Sequence, residues 1–175
     1  MLTSTEPHLD VPQNVRTFIE LICTQVKIVI EDNEPVTPAL LFHLVNPVKT
    51  RDIGIMPIAE LVNSQAGKEL IRTIMEETIQ QNNIDIVVFV SEAWAAKLSE
   101  EEKAQHVLKH KRVSERKDKV EILMFSIMTK DRQFLGSAEI LREPSSTLAP
   151  LELFSVDSPG SEGNLVRRQE PPVVH

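Results

Sequence analysis

Residues 84–94 read Ile-Asp-Ile-Val-Val-Phe-Val-Ser-Glu-Ala-Trp. Successive side chains of a strand point to opposite faces, and up to Val90 the apolar ones fall on both parities. Such a strand needs cover on both sides, so the stretch predicts a central position in a sheet, with alternation running on through Ser91, Glu92, Ala93 and Trp94. Upstream, Leu70, Ile71, Ile74, Met75 and Ile79 recur at helical spacing, while Lys68, Arg72, Glu76 and Gln80 take the other side. That helix opens at Asn63 or Ser64 and is expected to close at Asn82-Asn83, since Asn tolerates the left-handed conformation. Downstream, Val120–Thr129 and Phe134–Leu141 alternate across Lys130-Asp131-Arg132-Gln133, the pattern of an antiparallel hairpin. Gly136 in its second strand permits a bulge or a close neighbour.

Further out, Val15, Phe18, Ile19, Ile22, Val26, Val29 and Ile30 form another helical stripe. Asp10, with Gln13 three residues on and Pro12 between, is the expected cap. Val26–Ile30 is β-branched enough for a strand, which leaves two endings open, one near Gln25 and one near Ile30. Glu31–Pro38 reads as a turn. Ala39–Val45 and Ile53–Ile58 are short apolar runs that suggest a hairpin, and Pro57, unable to donate to a ladder, marks an edge or a strand end. Ser99 with Glu102 caps a short helix to about His110, and Leu151–Val156 adds an edge strand. The fold class is therefore α+β: a mixed, largely antiparallel sheet of about five strands with two long helices packed on it. Residues 8–156 form one domain, and residues 157–175 a disordered C-terminal tail.

The chain has 175 residues and a formal charge of −7. Its single cysteine, Cys23, points to a reducing, cytoplasmic setting. No apolar run approaches the ~20 residues that span a bilayer, and Met1–Asp10 lacks the features of a secretory signal. A pI near 5.3 argues against wholesale coating of nucleic acid.

Glu92, beside Trp94 at the end of the central strand, is the candidate general acid or base. The competing arrangement has Glu92 outward on the strand and Trp94 in the core. Glu102, His106 and His110 stand four apart on one helix face, but eight residues rise about 12 Å and Val107 occupies the place of the zinc-protease glutamate, so no metal site is expected. Lys109–Lys119 carries six Lys or Arg. Lys111, Arg112 and Arg116 there are candidate ligands for phosphate or nucleic acid, although no aromatic residue supports base stacking. The same run serves equally as a charged, soluble connection. Cys23, next to the apolar stripe, reads as a buried structural thiol, and His43 as a hydrogen-bonded core histidine. With five glycines in all, the chain has no Gly-rich phosphate loop or dinucleotide fingerprint, and no cofactor is expected.

The strand entering Ser91-Glu92-Ala93-Trp94, a charged insert, then Arg112–Asp118 leading to a strand with Glu121, resembles a group of uncharacterised bacterial and phage proteins. The resemblance spans residues 84–142, brings no activity, and implies that Glu92, Trp94, Arg116 and Glu121 lie near one another. The functional expectation is a non-enzymatic cytoplasmic module that self-associates or binds a protein partner through its sheet face or edge. Its basis is the apolar residues on both parities of Val87–Val90 and Leu123–Ile127, more than a pair of helices covers. A second protomer would then cover the open face. The alternatives are a small hydrolase or transferase using Glu92 with Arg112, Arg116 or Glu121 in a cleft, and phosphate or nucleic-acid docking on Lys109–Lys119.

Overall fold

In the computed structural model, which describes residues 11–45, 52–96 and 119–155, every strand pairing is antiparallel. The elements are α1 (Gln13–Glu31), β1 (Ala39–Leu44), β2 (Asp52–Pro57), a 3-10 turn (Leu61–Asn63), α2 (Gln65–Ile79), β3 (Ile84–Ala96), β4 (Lys119–Met128), β5 (Gln133–Leu141), β6 (Thr147–Leu148) and β7 (Glu152–Ser155). The sheet runs β2-β1-β3-β4-β5-β6, with β7 also on β5, and curls into a half-barrel. The fold class stands as read; β7 lies in the stretch Leu151–Val156 expected to add an edge strand, and the short β6 brings the described strands to seven.

β3 is central, as its composition requires, and the pattern divides between two helices. Ile86, Val88 and Val90, with Leu123, Phe125 and Ile127 of β4 and Phe134 and Ile140 of β5, pack under α1 through Val15, Phe18, Ile19, Ile22 and Ile30. Val87 and Phe89, with Leu40 and Met128, pack on the opposite face under Ile71, Met75 and Ile79 of α2. The helices thus sit on opposite faces, and Val87–Val90 are sheathed by their own chain, as are Leu123, Phe125 and Ile127, with Met124 half-buried. This corrects the expectation that these strand cores outrun the cover a pair of helices gives.

Several local readings are also decided or corrected. α1 runs unbroken to Glu31, because Ile30 and the half-buried Val26 belong to the face that closes on the sheet; tertiary burial overrides the β preference of that run. Its N-cap is Pro12 without a side-chain cap bond, and Gln13 Nε2 instead donates to Thr17 Oγ1 at 3.2 Å. Asp10 lies outside the described residues. Leu70 is exposed rather than part of the α2 stripe, since it flanks the Ile71–Met75 line. α2 closes through a tightened last turn, with Gln81 N–H on Thr78 O at 3.0 Å. Among described non-glycine residues the positive φ belongs to Asn33 (59°), after α1, and not to Asn82 or Asn83.

The start of α2 follows the sequence closely: Ser64 Oγ accepts from Gly67 N–H at 2.9 Å. Gly67 lies so near the 3-10 turn that an added Cβ would stand 1.9 Å from Leu61 O. Gly136 answers to a close neighbour, with Leu153 Cδ2 3.0 Å from where a Cβ would be, and the β4–β5 register is regular. The bulge is elsewhere. His43 pairs with Ile86 but Leu44 with Ile84, which leaves Asp85 as the extra residue. No helix among the described residues is long and apolar enough to cross a membrane.

Candidate functional site

β2 ends the sheet, and no described strand pairs with its outer side. Which of its backbone groups face outward follows from ladder geometry. Ile58 N–H bonds to Pro38 O at 3.0 Å, in continuation of the β1–β2 register. Bonded and non-bonded pairs alternate in an antiparallel ladder, so Met56, Gly54 and Asp52 bond to β1, while Ile53, Ile55 and Pro57 turn their backbone groups away from it. Pro57, which lacks an N–H, thus occupies a position where β1 asks for none, at once the edge and the strand end that its residue type predicts.

The side chains along this edge are apolar. Ile55 is 65% exposed, with Ile53 and Met56 near 40%. Ile53 and Ile55 share the parity of Leu41 and His43 and so lie on the α1 face. Phe18 of α1 sits against the His43 ring, centroids 5.0 Å apart, which sets the N-terminal half of α1 above β1. Arg16, Glu20 and Lys27 mark the flank of α1 that turns to β6 and β7. At 100° per residue, the exposed Leu21 and Ile28 lie outside both the sheet-facing stripe and the Arg16–Lys27 flank, and face solvent. Three of the nine exposed large apolar side chains among the described residues, Ile53, Ile55 and Met56, thus lie on β2, the first two on the α1 face and Met56 on the α2 face.

The charged end of β3 lies on the same face, beyond the last turn of α1. Trp94 opposes Glu121 and Glu92 opposes Leu123. Glu121 binds Arg142 bidentately, with Arg142 Nε donating at 3.0 Å. The hydrogen bond that Arg142 donates to Glu121 raises the Arg142 pKa further above its ordinary value; desolvation opposes this, and the charges of Glu121 and Glu92 add to it. Of the residues grouped by the resemblance, Glu92, Trp94 and Glu121 share this end, while Arg116 lies outside the described residues. Both carboxylates are engaged in holding the fold. Glu92 is half-buried and accepts from Val36 N–H at 2.9 Å, tying the α1–β1 connection to β3. Trp94 is the exposed one of the pair, 49% open with Lys119 Nζ 4.5 Å from its ring centroid, so the arrangement with Glu92 outward and Trp94 in the core is corrected. The face loses its helix at this point, which is why an aromatic there stays open.

Two features escaped the sequence reading. The Asp85 bulge carries its carboxylate under α1, where it accepts from His43 Nδ1 and, at 3.4 Å, from Asn14 Nδ2. His43, 4% exposed, is the hydrogen-bonded core histidine its strand position suggests, but the partner depends on a bulge that no residue type announces. The second is a groove of about 570 Å³ between α1 and the β6–β7 segment, with Arg16, Glu20, Cys23 and Lys27 on one wall and Leu148 and Leu151 on the other. Burial, and after it the Glu20 charge, push the Cys23 thiol up to about 11. Lys111 and Arg112, the remainder of the basic run before Lys119, and the stretch of Glu102, His106 and His110 expected to be helical lie outside the described residues. No cluster of three or more His, Cys, Asp or Glu that could hold a metal occurs among the described residues. No family model, curated protein or solved structure matches the chain.

Proposed function

We propose that the chain is a non-enzymatic interaction module, working in the cytoplasm, that joins an extended segment of polypeptide to its sheet along the outer side of β2. The observation that carries this reading is the pairing of outward backbone groups on Ile53 and Ile55 with exposed Ile53, Ile55 and Met56 side chains on the same strand. Main-chain bonds to an added strand supply affinity, and alternate side chains supply specificity. Full burial of an isoleucine stabilises by about 1.5–3 kcal/mol, so covering the exposed two-thirds of Ile55 contributes roughly 1–2 kcal/mol before ordering costs. Natural edges are commonly blunted by charge; in β2 a charged residue type stands only at its start, Asp52, and none within Ile53–Pro57.

The test uses a synthetic peptide with the sequence of residues 52–57 as an extended-strand probe, followed by NMR on the full chain. Addition is expected to shift the Ile53 and Ile55 amides first, with a smaller response on β1. Saturating peptide that leaves both amides unmoved, or that moves residues around Trp94 instead, overturns the reading.

A further inference from the structure

We infer that the segment joining β2 carries an aromatic residue, flanked by apolar ones, at the position that faces Gly54. The inference rests on the reading above and names the chemistry of its partner.

The β1–β2 register fixes where that position is. Gly54 turns its N–H and C=O to β1, so toward an added antiparallel strand it forms a non-bonded pair, the closer of the two spacings. The side chain facing it emerges on the α2 face. That face has a notch there. Gly54 brings no side chain, and the exposed Met56, two residues along, forms one wall. The floor is Phe42, the cross-strand partner of Gly54, whose ring leans over the glycine with Cδ2 3.2 Å from where a Cβ would stand. Phe42 packs against the α2 cluster, and its β3 partner Val87 is fully buried. The ring is nonetheless only half-buried, and its open part lies toward the edge, over Gly54.

Aromatic side chains rescue strand glycines by lying across them. Phe42 does so from the β1 side, and a ring on the facing residue closes the other side by meeting Phe42 above Gly54. Aromatic pairs hold at centroid spacings of about 4.5–7 Å, a reach that a short side chain at the closer strand spacing lacks. The two flanking residues exchange main-chain bonds with Ile53 and Ile55 and lie over those exposed side chains on the α1 face, which calls for apolar residues there. Charge points the same way. No charged residue type stands within Ile53–Pro57, so an uncharged stretch is the complement of this edge.

The probes are the residue 52–57 peptide and its Gly54→Phe and Gly54→Leu variants, each titrated into the full chain and followed by NMR. The phenylalanine peptide is expected to bind about fivefold or more tightly than the parent. It should also bind about twofold to tenfold more tightly than the leucine one, the span of an aromatic pair. Nuclear Overhauser contacts should join its ring to Gly54 Hα and to the Phe42 ring. Phe42→Leu in the full chain, checked for native circular dichroism, should cut the advantage over leucine to less than about twofold and leave parent-peptide affinity unchanged. If that variant does not fold, the ring contacts decide. A phenylalanine peptide that moves the Ile53 and Ile55 amides but binds no tighter than the leucine one, or whose ring contacts Met56 and not Phe42, overturns the inference and leaves the open edge standing. Amides unmoved by any of the three peptides overturn both. Tightest binding by the parent peptide, which repeats β2 itself, overturns the aromatic and assigns the edge to a second copy.

Discussion

Gly67→Ala sets local preference against tertiary contact within one helix. Alanine in place of glycine inside a helix stabilises by about 1 kcal/mol. At position 67, however, the new Cβ would stand 1.9 Å from Leu61 O and 2.7 Å from Leu61 C, backbone atoms of the 3-10 turn that no rotamer change can remove. Relief requires shifting the turn, whose Leu61 N–H is held by Ile58 O at 2.9 Å and whose Leu61 and Val62 side chains pack against the α2 cluster. Overpacking of this kind costs about 1–3 kcal/mol or more, and weakening the Ser64 cap adds about 1 kcal/mol. Set against the propensity gain, the net loss is about 1–3 kcal/mol, or roughly 2–12 °C for a chain of this size. Thermal unfolding followed by circular dichroism, with urea titration at constant m, reads it directly. Gly136→Ala is the control: its nearest contact, at 3.0 Å, is the end of the flexible Leu153 side chain, so its loss should be the smaller. A Gly67→Ala protein that melts at or above the parent temperature refutes the reasoning.

Asp85→Ala leaves the buried His43 Nδ1–H without its acceptor, an expected cost of about 1–3 kcal/mol in urea unfolding. Adding His43→Leu should recover part of that loss, and two strictly additive single effects would contradict the pair. Trp94, the sole tryptophan, should emit at long wavelength and be readily quenched by acrylamide in the native state; a blue, quench-resistant emission would place it in the core. Because the Cys23 pKa is raised to about 11, the neutral thiol prevails at pH 8 with a thiolate fraction of about a thousandth. Alkylation of the native chain at pH 8 should therefore be far slower than in urea and climb nearly tenfold per pH unit up to about 10; equal native and unfolded rates at pH 8 would contradict it.

The sheet was legible because its strands are written in side-chain parity. Ile84–Val90 announces burial on both faces, and Val120–Thr129 with Phe134–Leu141 announces a hairpin; these are local patterns that the ladder preserves. Parity does not say which helix covers which face. That depends on crossovers, and it reversed the argument about unsheltered strands: the exposed apolar surface lies at Ile53, Ile55 and the Leu21–Ile28 flank rather than over Val87–Val90. Pro57 was the one residue that signalled the edge in advance. At the charged end, proximity of Glu92, Trp94 and Glu121 was readable because β3 and β4 are sequence neighbours in a hairpin-like pairing. Arg142 was not, since its approach to Glu121 rests on the far end of β5. Nor was the His43–Asp85 pair, which a single inserted residue in the ladder creates.

Amide hydrogen exchange along β2, read residue by residue with and without the residue 52–57 peptide, tests most directly whether this edge is open and accepts a strand. Gly54 and Met56, bonded to β1, should be protected in both states, whereas Ile53 and Ile55 should exchange quickly in the free chain and slow together at saturating peptide. Ile53 and Ile55 amides that exchange at one fast rate with and without peptide, or that are already protected in the free chain, would contradict it.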